Sequence, residues 1–315
     1  MDSTPMTNKE LRQQKKQQKL DAKMEKRRIE AAKPRSYWGS VFFRLRSNRR
    51  AMISLFLLLT IVLGCILVPM LSPYDYISYD VPNRNQPPSL AHPLGTDSLG
   101  RDLMVRLFQG GRISLGISLA VTFIQCVLGV VLGCLAGFYG GIIDTIIMRI
   151  SEIFMSFPFL IMCITIVSVF GSSSFALIFT LAILSWPSIT RIVRGQILTL
   201  REQEYMEACE ALGISDYRRI FRHLLPNVLA YVIVYATLGM ASVILTETSL
   251  SFLGLGVAPP MPTWGNLIQE ARNMTVIASR VWIWVPPGVM IFLSVMCFNL
   301  LGDGLRDAID PKMKR

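Results

Sequence analysis

EYMEACEALGISDYRRIFRHLLPN, running from Glu204 to Asn227, is a polar island of two dozen residues between two long apolar segments. Glu204 to Leu212 is a run of good helix formers, and Gly213 stands where a helix stop is expected. Ser215 or Asp216 can cap a second helix that Pro226 closes. The expectation is two short helices joined by a tight bend. Ala208 and Ala211, with Cys209, keep the first helix thin enough for another backbone to approach closely. Glu207, Glu210, Arg218 and Arg219 offer charges of both signs. An ordinary solvated connection between membrane helices is the alternative reading of the same residues.

The flanks decide what such an island can be. The chain has 315 residues, 52% of them hydrophobic, and a mean hydropathy of +0.45. That is too apolar for a soluble domain of this size and predicts an all-α, polytopic membrane protein with six transmembrane helices and the island as a cytoplasmic loop. The net charge of +11 fits either nucleic-acid binding or a membrane protein with basic cytoplasmic loops; where the charges lie decides. The six cysteines show no C-x-x-C pair, and all but Cys209 fall in apolar runs, so they read as small core hydrophobes. His92 and His223 have no second His or thiol close by in sequence, so no metal site is expected.

Working outward, residues 1–48 form a basic arm, dense at Lys15-Lys16 and Lys26-Arg27-Arg28. The arm reads as a solvated cytoplasmic extension, with contact to anionic lipid as the alternative. It ends where Tyr37, Trp38, Phe42 and Phe43 mix with Arg44, Arg46, Arg49 and Arg50, a headgroup-level composition. Residues 49–71 are the first transmembrane helix, a signal-anchor rather than a cleavable signal. Residues 72–111 are polar and Pro-rich, an extracytoplasmic loop expected to fold as a cap. Residues 112–301 are the core: spans at 113–138, 146–170 (interrupted by Pro158), 175–193 (interrupted by Pro187), 228–245 and 281–301, with the loop 204–227 among them. Ser249 to Arg272 is too broken for a span and reads as interfacial or partly re-entrant. Residues 302–315 are a polar cytoplasmic tail. Gly129, Gly133 and Gly137, four apart, predict a helix face on which a neighbour packs backbone to backbone.

Of the 32 Lys and Arg residues, twenty-six lie in the arm, the turn holding Arg149, the island with its flank, and the tail. Six lie on the opposite side. This places both termini and the island in the cytoplasm. Topology thus explains the positive charge, and nucleic acid is not an expected partner.

No G-x-x-x-x-G-K-[ST] run is present, so ATP, if used, is held by another subunit. The spans contain few ionisable groups. Glu152 can pair with Arg149 on one helix face, and Glu247, near the outer end of the fifth span, is a candidate for the solute path, with structural hydrogen bonding as the alternative.

Glu207-Ala208, Gly213 and Leu225-Pro226 at these spacings resemble the EAA loop of ABC-importer permeases. Two positions depart mildly: Cys209 stands where the family has a second Ala, and His223 where it usually has Ile. The runs His92–Asp102, Gly110–Leu115, Phe138–Gly141, Leu250–Gly256, Trp264-Gly265, Leu301–Asp307 and Asp310-Pro311 are similar, in the same order, to the dipeptide/oligopeptide permeases of the C-subunit type. The resemblance covers most of the chain beyond the arm. It implies that Glu207, Ala208, Cys209, Gly213, Leu225 and Pro226 belong to coupling helices that dock on a cytoplasmic ATPase. It further implies a transport subunit of a bacterial cell membrane, not an enzyme and without a cofactor of its own. The implied partners are a homologous second permease, two ATPase subunits carrying ATP and Mg, an extracytoplasmic peptide-binding protein, and membrane lipid. Permeases for dipeptides, nickel or glutathione are the nearest alternatives. An ion-coupled carrier is the alternative outside the class, but it has no use for an ATPase-docking helix pair. A membrane enzyme is weakened by the missing catalytic constellation.

Overall fold

In the computed structural model the described residues run from Tyr37 to Ile309. Most of the basic arm, together with Asp310 and Pro311, lies outside them. Of the N-terminal unit, Met1–Arg44, only the first turns of helix α1 (Tyr37–Ser47) are described. The second unit, from Leu45 on, carries α2 (Arg49–Leu71), α3 (Leu103–Tyr139), α4 (Gly141–Ser156), α5 (Phe159–Phe170), α6 (Ser174–Arg201), α7 (Glu204–Ala211), α8 (Leu225–Phe252), α9 (Trp264–Gln269), α10 (Met274–Ser279) and α11 (Val281–Ile309). No strand occurs among the described residues. Five helical runs are each long and apolar enough to cross a bilayer, and α4 with α5 makes a sixth if the pair, bent by 87°, is one broken span. The all-α, six-span expectation stands on that count.

Proline chemistry explains where the spans break and where they do not. Phe157 precedes Pro158 and is extended, with φ −98° and ψ 145°. The proline ring disfavours helical geometry at the residue before it, and α4 stops there. Pro187 was expected to interrupt the next span, yet α6 runs through it without a break. In lipid no water can take over freed backbone groups, so a continuous helix missing one bond is better than an open chain. The second helix of the island, expected to close at Pro226, does not close. Helical backbone continues from Asp216 to Phe252, and Pro226 sits in the first turn of α8. The turns just before it, Arg219–Leu224, are π-helical, with Leu225 N–H donating to the Ile220 carbonyl. Pro226 has no N–H to donate into this continuous run, and the wider turn before it leaves room for its ring.

Two other boundaries shift. The second span was expected from Ile113, but α3 starts at Leu103 because the Asp102 carboxylate accepts from Val105 N at 2.8 Å and caps it. With 37 residues α3 is about 55 Å long, well beyond the hydrocarbon thickness. The tail expected after Leu301 is helical to Ile309. Its Gly302 and Gly304 are packing positions: a Cβ on Gly302 would lie 2.5 Å from Leu238, and one on Gly304 would strike Ala51.

The α3–α6 seam is the glycine face anticipated above. A Cβ on Gly129, Gly133 or Gly137 would come within 2.5–2.8 Å of Ile189, Val193 and Ile197 respectively. Those three β-branched residues, also four apart, form the ridge that fills the glycine groove. Being stiff at χ1, they lose little freedom in doing so. The buried side chains fall into three main clusters: α3, α5, α6 and α8 around Leu177 and Leu181; α2, α3, α8, α9 and α11 around Trp264; and α3, α6, α7 and α8 around Ile197 and Leu224. Five cysteines are buried and Cys126 is half-buried.

Gly133→Leu is expected to cost about 1–3 kcal/mol by overpacking the seam and to lower the unfolding midpoint of the purified protein in detergent. Gly116→Ala, where a Cβ meets nothing within 4 Å, should leave the midpoint unchanged or raise it.

Candidate coupling surface and solute cleft

The island stands on its inner face. Met206 and Cys209, three apart on α7, are buried, and Met206 packs in the cluster of Phe138, Ile197, Leu224 and Val228. Glu207 and Ala208 therefore face outward, and both are exposed. Cys209, grouped with them in the sequence, is instead part of the footing. Gly213 has φ +68° and ends α7 in a Schellman arrangement: Gly213 N–H donates to the Glu210 carbonyl at 2.9 Å and Ile214 N–H to that of Cys209 at 3.0 Å. Nothing lies within 4 Å of where its Cβ would be, so the requirement for glycine comes from the backbone alone. Leu225 is half-buried and Pro226 is exposed.

Arg219 ties the island together. Its guanidinium pairs with Glu210 at 2.8 Å and with Asp216 at 2.6 Å, and it lies over the Phe138 ring, 5.2 Å from the centroid. One side chain thus joins α7, the turn after Gly213 and the end of α3. Nearby, Arg201 donates to the Phe138 carbonyl at 3.0 Å and occupies one of the orphan acceptors at the α3 C-terminus. Asp144 takes both arms of Arg194, at 2.5 and 2.6 Å, fixing α4 to α6.

Three residues that sequence reasoning did not single out give this surface its apolar character. Leu212, Tyr217 and Phe221 are 79%, 70% and 53% exposed, and the two aromatic rings lie 4.6 Å apart. They add large exposed apolar groups to the polar island that carries exposed Glu207 and Ala208. The sequence signal was the i, i+4 spacing of Tyr217 and Phe221.

At mid-membrane, α3, α6 and α8 enclose a cleft of about 390 Å³, with Gln125, Ser185, Ser188, Tyr235, Ser242 and Thr246 as its polar lining. These residues come from three separated segments, so no contiguous motif announces them. The i, i+3 pair Ser185/Ser188 and the i, i+4 pair Ser242/Thr246 were the available hints.

Glu247 is not in that lining. It is fully buried, accepting from Ser251 Oγ at 2.7 Å and from Ser114 Oγ at 3.2 Å. Ser114 Oγ in turn accepts from Trp264 N at 3.1 Å, and Trp264 Nε1 donates to the Leu107 carbonyl at 3.0 Å. The glycines make this possible: a Cβ on Gly111 would come within 2.7 Å of the Trp264 ring, and one on Gly265 within 2.5 Å of Ser251. The stretch read as interfacial or re-entrant is thereby clamped through α9 to α3 and α8. Glu247 serves the wall behind the cleft.

Residues 129–315 match the family described as binding-protein-dependent transport system inner membrane component. Residues 36–88 match the N-terminal TM domain of oligopeptide transport permease C. The chain is 39% identical over 280 residues to the oligopeptide transport system permease protein OppC of Bacillus subtilis strain 168, covering 89% of this chain and 91% of that one. It is 40% identical to the dipeptide transport system permease protein DppC of Alkalihalophilus pseudofirmus, covering 89% and 91%. It is 42% identical to the glutathione transport system permease protein GsiD of Pectobacterium atrosepticum, covering 89% and 93%. Among solved structures, an inward-facing form of the MetNI methionine ABC transporter has a chain of similar fold, with TM-score 0.53 and 20% identity over 65% of this chain and 97% of that one.

Arg219→Ala removes two partly exposed ion pairs, worth about 0.5–1 kcal/mol each. The expected result is faster amide exchange across residues 204–224 by mass spectrometry, with the spans themselves unchanged.

Proposed function

Because this chain belongs to the family of binding-protein-dependent transport system inner membrane components, we propose that it is the oligopeptide-carrying member: a permease subunit that forms half of the translocation path of an ATP-driven importer. As a permease of this family it is a transport subunit of the inner membrane, working with a partnering permease and with ATPase subunits rather than as an enzyme. The finer assignments are ours. An extracytoplasmic peptide-binding protein delivers the solute; two ATPases hold ATP and Mg; both termini and the island face the cytoplasm, in keeping with the Lys and Arg distribution.

The observation that carries the reading is the island itself: Glu207 and Ala208 presented outward beside exposed Leu212, Tyr217 and Phe221, on a footing of Met206 and Cys209. ATP draws the ATPases together, and the docked island moves with them. Because the helix after Gly213 continues into α8, movement at Tyr217 tilts a wall of the cleft and opens it outward; hydrolysis reverses the tilt. The cleft between α3, α6 and α8 is this subunit's share of the solute path, and Glu247 acts on the path from behind. Oligopeptides are favoured by the matched N-terminal domain and by the Bacillus relative; dipeptides and glutathione, carried by the other relatives, are the second reading.

The test is uptake of a labelled tetrapeptide by cells lacking this chain and by the same cells with it restored, competed by dipeptides, longer peptides and Ni²⁺. Restored uptake blocked by longer peptides is expected; no restoration with the protein inserted rejects the oligopeptide assignment. Failure to co-purify with any ATPase would point to an ion-coupled carrier.

Gly213→Val forces a β-branched residue into left-handed geometry at about 1–2 kcal/mol and misaligns α7. The protein should insert at the wild-type level and ATP hydrolysis should persist while peptide uptake falls sharply. Unchanged uptake would remove Gly213 from the coupling mechanism.

A further inference from the structure

A second cleft, of about 560 Å³, opens between α4 and α6 one helical turn beyond the first, and five of its lining residues are charged: Asp144, Arg149, Glu152, Arg191 and Arg194. Four of them are committed. Arg194 is held in both arms by Asp144, and Arg149 pairs with Glu152 at 3.0 Å. Arg191 has neither an ion pair nor a hydrogen bond among the described residues. It is exposed, so the cleft carries one uncompensated positive charge on a planar fork.

Its position on α6 gives that charge a use. Ser185 and Ser188 line the mid-membrane cleft, and Arg191 follows at the same spacing of three, about 4.5 Å further along the axis. Each step of three turns the side chain by about 60° around the axis, so Arg191 lies next to Ser188 and about 120° round from Ser185. Ser188 and Arg191 therefore set a hydroxyl of the inner cleft and a free guanidinium of the second cleft one turn apart, in the half of α6 nearer the island.

We infer that Arg191 receives the carboxylate end of the solute as it leaves the mid-membrane cleft. This rests on the import reading above, in which this end of α6 is the cytoplasmic one and the solute is a peptide with a free C-terminus. A guanidinium takes a carboxylate through two parallel hydrogen bonds, which an ammonium or an amide cannot reproduce. The peptide's amino end has no comparable partner in this cleft, since both carboxylates are already paired. Arg191 thus favours exit of the carboxyl end first, and it distinguishes a free peptide from its amide without any contact to side chains.

The test uses the complete transporter, this chain with its partner permease and ATPases, in phosphatidylcholine nanodiscs without the binding protein. Saturation-transfer NMR measures binding of tri-alanine and of tri-alanine amide. The free acid should bind more tightly than the amide. Arg191→Gln should weaken the acid by roughly tenfold, as loss of a charge-assisted bond does, and leave the amide unchanged; Arg191→Lys should restore part of the difference. A preference for the acid that survives in Arg191→Gln overturns the assignment. So does loss of acid binding when anionic phosphatidylglycerol replaces zwitterionic phosphatidylcholine, because Arg191 would then be facing the lipid headgroups and be neutralised by their net negative charge. Uptake in restored cells is scored separately: its absence defeats the import reading and this assignment together, whereas uptake with unaltered binding in Arg191→Gln defeats this assignment alone.

Discussion

Everything that can work in this molecule hangs on the contact of a glycine row with a β-branched ridge. Gly129, Gly133 and Gly137 let α3 approach α6 until backbone meets Ile189, Val193 and Ile197. Between membrane helices, where lipid is as apolar as leucine, such contact is held by packing and not by exclusion of water. The same seam fixes both the cleft and the island. Its two helices wall the mid-membrane cleft, and its lower end, around Phe138 and Ile197, is the socket in which α7 stands.

Polar interactions are concentrated at the two ends of this seam, with different characters. At the outer end Glu247, Ser114, Ser251 and the Trp264 amide form a buried network among three elements, where each lost partner leaves a buried group unsatisfied. At the island end the pairs made by Arg219 and Arg194 are partly solvated and individually weak. One end is locked and the other adjustable, the arrangement a helix bundle needs if it is to tilt about a fixed point.

Much of this was legible in the residues. Hydropathy gave the spans, glycine spacing gave the seam, and Gly213 gave the bend, because each depends on local chemistry. Long-range packing decided the rest. Cys209 looked like a member of the outward face, but it is buried with Met206 on the inner face of α7. Glu247 looked like a solute contact, but hydroxyl partners up to 133 positions away enclose it. Pro187 read as a break by rules for water-exposed helices, which a bilayer overrides, and Pro226 read as a stop that the π-turn before it removes. The cleft was the least visible feature, since its polar lining comes from three helices and acquires meaning only when they converge.

The π-turn ahead of Pro226 makes the last point. Because no loop separates the island's second helix from α8, the aromatic pair at Tyr217 and Phe221 sits on the short arm of a lever whose long arm carries Tyr235, Ser242 and Thr246. A small rotation imposed at the short arm is magnified with distance from the pivot, and the extra residue in the wide turn sets the angle at which the two arms meet. Deleting one residue there would turn every cleft-lining side chain of α8 by roughly a hundred degrees about its axis, changing which groups line the cleft while leaving Tyr217 and Phe221 where they are.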